Sequence, residues 1–166
     1  MGENMTKTGG IRELYTPESA AARYDLYRGA TGRIKAAIEA KFWIEAIALI
    51  ESVIADRLEA RVSHLNGHSE LARRHDTIGA LVRRLQSTEK HQGLENLHKL
   101  YGEIRAWANA RNKAVHNAVK LTQGQTFEKW EVRYAALETA AVDGFVLFKA
   151  LKSEFDRIKR RDAKTK

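Results

Sequence analysis

Apolar residues recur along most of this chain at steps of three and four, the spacing of one face of an α-helix. Between residues 31 and 64 they are Ala36, Ala40, Trp43, Ile47, Ile50, Ile54 and Leu58, which predicts one long helix. Ahead of it, Thr16-Pro17-Glu18-Ser19 is a good helix start. Threonine can cap, proline fits the first turn, and glutamate suits the positive end of the helix dipole. That first helix is expected to end near Tyr27, because Gly29 and Gly32 follow and glycine weakens a helix interior. Asn66-Gly67 stops the second helix. Asp76 is expected to cap a third, carrying Ile78, Leu81, Val82 and Leu85, before Gln92-Gly93 breaks the chain again. A fourth helix is predicted over 94–121. Thr126 is expected to cap a fifth, whose apolar positions from Trp130 through Leu137, Ala141, Gly144, Phe148 and Leu151 to Ile158 follow near-heptad steps. No stretch holds the period of two that marks a strand. The expectation is an all-α fold, an up-and-down bundle of about five helices with short connections and antiparallel neighbours.

Composition narrows this picture. A chain of 166 residues with 43% hydrophobic content can bury one sizeable core, placed here at residues 16–160. Residues 1–15 are expected to be a flexible leader and 161–166 a basic tail. The lone proline, Pro17, leaves long helices permitted almost throughout. Without cysteine the chain has no disulfide, thiolate metal site or thiol nucleophile. No apolar run approaches a membrane span, so a cytoplasmic protein is expected. The net charge of +8 favours a polyanionic partner such as nucleic acid, beside the plain reading of a solubilising surface.

Two charges break the pattern. On the fourth helix, at about 100° per residue, Leu100, Ile104, Trp107, Val115 and Ala118 all fall within about 40° of Arg111. An arginine thus occupies the centre of the face that should be buried. Arg105, Asn109 and Asn112 cluster instead around the direction of His116. On the second helix Glu51 lies about 40° from Ile47, inside that helix's apolar stripe. Three readings are open. Arg111 and Glu51 form an internal ion pair that fixes helix register; Arg111 snorkels, with its stem packed and its head in water; or Arg111 emerges into a shared cleft with Glu51 holding it, a local rule broken for function.

The run Arg111-Asn112-Lys113-Ala114-Val115-His116 resembles the R-x4-H form of the motif of the HEPN (higher eukaryotes and prokaryotes nucleotide-binding) superfamily. The likeness extends over residues 30–160, where two long antiparallel helices precede and carry the motif and a further helix follows. Ala118 stands where one subgroup has tyrosine. The resemblance implies a metal-independent endoribonuclease, with many members acting as toxins of toxin–antitoxin systems or in phage defence. It implies a homodimer with two motif copies in one cleft, and RNA and an antitoxin or regulatory protein as partners. Arg111, His116 and Asn112 become the catalytic candidates and Glu51 a supporting residue. Arg105, Asn109, Lys113 and Lys120 become candidate RNA contacts. No metal or other cofactor is expected. Some members are not nucleases, so a non-catalytic dimerisation and nucleic-acid- or nucleotide-binding module is the alternative.

The motif suits that chemistry. RNA brings its own nucleophile, the 2′-hydroxyl. Cleavage needs a base, an acid and positive charge at the phosphorus. Histidine titrates near neutral pH, and the arginine fork pairs with phosphate oxygens. One motif has one imidazole; two copies across a dimer axis supply both base and acid.

Overall fold

A computed structural model describes residues 17–66, 76–89, 93–118, 120 and 129–164. The expected leader and the Thr16 and Thr126 caps lie outside these residues. Five α-helices follow one another: α1 (Pro17–Glu39), α2 (Trp43–Leu65), α3 (Ile78–Thr88), α4 (Glu95–Asn117) and α5 (Trp130–Lys164). Among the described residues there is no strand. The all-α reading therefore holds.

Several boundaries differ from expectation, the fourth helix among them, which ends at Asn117 rather than 121. Gly29 and Gly32 lie inside α1, which runs unbroken to Glu39. The break falls instead at 40–42, where Lys41 adopts φ 61° and the Phe42 amide donates to the Ala37 carbonyl. Packing explains the shift. Ile34 and Ala37 are buried, and burial on the far side of the glycines outweighs about 1 kcal/mol of lost propensity at each. The expected stripe accordingly starts one face off: Ala36 and Ala40 are exposed, whereas Trp43, Ile47, Ile50, Ile54 and Leu58 are buried. At α3 the cap is Thr77 rather than Asp76, its hydroxyl accepting from the Ala80 amide at 3.2 Å. The chain from 161, expected as a tail, continues α5 to Lys164, with residues 161–163 exposed.

The core forms where the stripes of α2, α3, α4 and α5 meet. Ile50, Ile54, Leu58, Leu81, Leu85, Leu97, Tyr101, Ile104, Phe148 and Leu151 are all essentially inaccessible. α1 packs on α2 and touches α5. α4 runs antiparallel to α5: Trp107 meets Ala140 and Arg133 meets Asn117. α2 and α5, distant in sequence, run the same way, with Trp43 beside Tyr134 and Arg57 beside Phe148.

Trp107 pins α4 to α5. Its indole Nε1 donates to the Ala140 carbonyl at 2.8 Å. A Cβ at Gly144 would lie 2.6 Å from the indole ring. Gly144 is therefore a close-approach residue, and the helix tolerates it because the indole fills the space that a side chain would take.

Candidate functional site

Arg111 leaves α4 on its inward face, as the wheel predicts, and its terminal nitrogen donates to Glu51 Oε1 on α2. The two side chains are unequally covered, 13% exposed for Arg111 and 39% for Glu51. Both charges were expected inside the apolar stripe; Glu51 in fact lies at its edge, where water reaches it. The Arg111 guanidinium lies 5.8 Å from the Trp107 ring, a cation–π contact. Its Nε is buried with no hydrogen-bond partner among the described residues, and a buried donor left unmade costs about 1–3 kcal/mol. The arginine is thus anchored by one carboxylate and one indole, with donor capacity to spare.

His116 stands in the last turn of α4 and is exposed, as are Asn112, Asn109 and Arg105. Asn112 and His116, four residues apart, occupy adjacent positions on that outer strip. The structure brings these four to one face and places Arg111 about 140° away from His116 around the helix. Within the chain Arg111 and His116 therefore diverge. Lys113 is exposed and lines a different feature, an open groove of about 1250 Å³ between α4 and α5. Ala110, Ala114, Ala136 and Ala140 line this groove, with Val132 and Val146 also on its wall. Ala110 lies about 120° from His116, so this groove follows the other edge of α4. Lys120 is exposed beyond the helix.

Arg133 of α5 finishes α4. It donates to the carbonyls of Asn117 at 2.6 Å and Lys120 at 2.8 Å. Terminal carbonyls lack intrahelical donors and carry the negative end of the dipole, which a guanidinium satisfies on both counts. This contact sets the end of α4, and with it the turn that bears His116.

Sequence reasoning missed a second polar cluster, three helical turns from Arg111 along the α2–α4 seam. Glu89, just past α3, is only 1% exposed. It accepts from Arg61 Nε at 2.9 Å and from the Tyr101 hydroxyl at 2.7 Å, and its own carbonyl bonds the His98 ring. Burial, then the adjacent Glu89 charge and their hydrogen bond, push the Tyr101 phenol well above its usual range. Ser87, Thr88 and Lys90 surround Glu89 in sequence, so no periodicity marks it as internal. A third cluster joins α1 to α2: Asp56 accepts from Arg23 at 2.9 Å and from Tyr27, while Arg57 covers the Tyr27 ring at 4.3 Å.

Among the described residues no helix is long and apolar enough to cross a membrane. No group of three or more His, Cys, Asp or Glu there is placed to hold a metal ion. Fold and site together define an all-helical bundle with an arginine clamped between two of its helices and an exposed Asn–His pair on the same helix. No protein-family model, curated protein or solved structure matches the chain.

Proposed function

We propose that this protein is a metal-independent endoribonuclease that acts as a homodimer of the HEPN type. The observation that carries the reading is the state of Arg111: held by Glu51 and Trp107, mostly withdrawn from water, and with a buried Nε–H unanswered. The exposed Asn112 and His116 support it. Because Arg111 and His116 diverge on one helix, a second copy is needed to bring another imidazole across the cleft. The exposed Val132, Val142 and Val146 on α5 give a second copy an apolar surface to cover.

In this reading one His116 takes the proton of the RNA 2′-hydroxyl as its oxygen attacks phosphorus. The His116 of the other copy gives a proton to the departing 5′-oxygen. Arg111 neutralises the non-bridging oxygens, and Asn112 orients the imidazole. The products carry a 2′,3′-cyclic phosphate and a free 5′-hydroxyl. The motif resemblance extends the reading to a toxin or phage-defence effector restrained by an antitoxin or regulatory protein.

The test is incubation of the protein with total RNA in EDTA beside His116→Ala. Cleavage by the wild type alone, with cyclic phosphate ends, supports the reading. Full activity in His116→Ala ends it. A second reading, a non-catalytic module of the same fold that dimerises and binds nucleic acid or nucleotide, is favoured by the Arg111–Glu51 pair itself, since an internal ion pair needs no substrate to justify it. Salt-sensitive RNA binding without cleavage selects that reading.

A further inference from the structure

The end of the bundle that carries the C-terminus of α4 also carries an aromatic ladder. Trp43 is buried. Tyr134 lies 6.2 Å from it, and Trp130 lies 5.9 Å from Tyr134 at an interplanar angle of 35°. The ladder stops at Trp130, which is 54% exposed. The lower rungs are fixed: Tyr134 also donates to the Lys41 carbonyl at 2.8 Å. That bond holds the left-handed Lys41 turn at the same end, with exposed Phe42 beside it. Arg133, next to Tyr134, reaches the carbonyl of Asn117, the neighbour of His116.

Charge says what suits this end. Lys41, Lys113, Lys120 and Lys129 are exposed and have no ion pair among the described residues. Among the described residues Glu39 and Glu131 are the acids beside them without an ion pair, since Glu45 is paired with Arg33. An aromatic face that terminates a fixed ladder, within a cation excess, matches single-stranded nucleic acid. There, bases stack on aromatic rings while lysines follow the phosphates. A packed core rung has no use for the cations, and an apolar protein partner would have to desolvate them.

We infer that Trp130 is a stacking platform for one base of single-stranded RNA, placed on the approach to the α4 terminus. The inference rests on the ribonuclease reading for the identity of the strand. It adds a positioning residue outside the motif: Trp130 holds the strand and takes no part in proton transfer.

The test uses an uncleavable 2′-O-methyl strand of about ten nucleotides and an abasic strand of the same length. Trp130→Ala is expected to weaken the base-bearing strand by about 5- to 100-fold. Trp130→Phe is expected to recover most of that loss, and the abasic strand should bind both variants as it binds wild type. Melting curves of each variant establish that it is folded; if the alanine variant is not, Trp130→Leu, which keeps apolar bulk without an aromatic face, carries the comparison and should lose the base-bearing strand in the same way. Equal binding of the base-bearing strand by wild type and Trp130→Ala overturns the platform. So does equal weakening of both strands, or conversion of a dimer to a monomer by Trp130→Ala in light scattering, which would make the patch a subunit contact. Cleavage of natural RNA by the wild type is read separately. Base-dependent loss at Trp130 without any cleavage leaves the platform standing and removes the nuclease. Cleavage with no Trp130 effect on binding does the reverse.

Discussion

Arg111 is where structure and proposed chemistry compete for one side chain, and substitutions separate them. Arg111→Lys keeps the charge but loses the planar fork. If Arg111 contacts the scissile phosphate, the lysine variant stays folded and cleavage falls by about 10²–10³. The ion pair predicts a different signature. Glu51 is 39% exposed, so water can re-solvate it when the arginine is removed. Arg111→Ala should therefore cost about 1–3 kcal/mol, less than the 3–5 kcal/mol or so typical of a fully buried pair. The double variant with Glu51→Ala should be less destabilised than the sum of the singles, measured by denaturant melts. His116→Ala, on an exposed strip, should leave the melting temperature nearly unchanged and abolish cleavage. Gly144→Ala tests packing alone. The added methyl would meet a rigid indole held by its bond to Ala140, so a loss of about 1–3 kcal/mol is expected from overpacking. A variant as stable as wild type would show that α4 and α5 can slide apart at no cost.

At the scale of helices, α2 gathers acids against α1 and the start of α3, and this predicts a pH effect. Glu59 is raised above its ordinary value of 4.5, first by burial and then by Asp56 and Asp76, with Arg23 opposing. A folded value above the unfolded one means that protonated Glu59 suits the fold. Its stabilising contribution is complete below the ordinary carboxylate range and is lost as pH rises through the raised value. Glu59→Gln should therefore raise the melting temperature at neutral pH, and the gain should shrink as the pH falls through the raised value and be gone below the ordinary carboxylate range. A constant gain at all pH values would point to packing instead. What could be read in the chain beforehand follows the same physics. The stripes of α3 and α5 were legible because each buries one face, and periodicity reports burial. The Arg111–Glu51 pairing was legible as one open alternative because two charges interrupt two such stripes. The α1–α2 break was not legible, because it depends on Lys41 accepting a left-handed conformation that glycine would adopt at less strain. Nor was Glu89, which becomes internal only when the end of α3 folds onto Arg61 and Tyr101. Gly144 stood in the predicted stripe, but its contact with Trp107 joins residues 37 apart in sequence, which local pattern does not encode.

The whole molecule brings the final prediction, since the proposed site is incomplete in one copy. With about 140° between Arg111 and His116 on α4, one protomer offers an arginine facing inward and a histidine facing out. Two copies related by a two-fold axis present two histidines to one strand, which is what acid and base catalysis on a single phosphate requires. The protein should therefore be a dimer in light scattering at micromolar concentration, and activity should fall with the dimer on dilution. Mixing wild-type chains with His116→Ala chains should lower cleavage by more than the share of wild-type chains removed, because a mixed dimer holds one imidazole where the mechanism uses two. A loss only in proportion to that share, with mixed dimers demonstrated, would place a complete site in each chain. The same preparation should cleave RNA in EDTA and leave DNA intact, because DNA lacks the 2′-hydroxyl that attacks the phosphate. Cleavage of both polymers at equal rates would discard this mechanism, and a requirement for added magnesium would replace the imidazole pair with a metal-bound water. A monomer with full ribonuclease activity would leave the divergence of Arg111 and His116 without a purpose, and the arginine would then be a staple between α2 and α4.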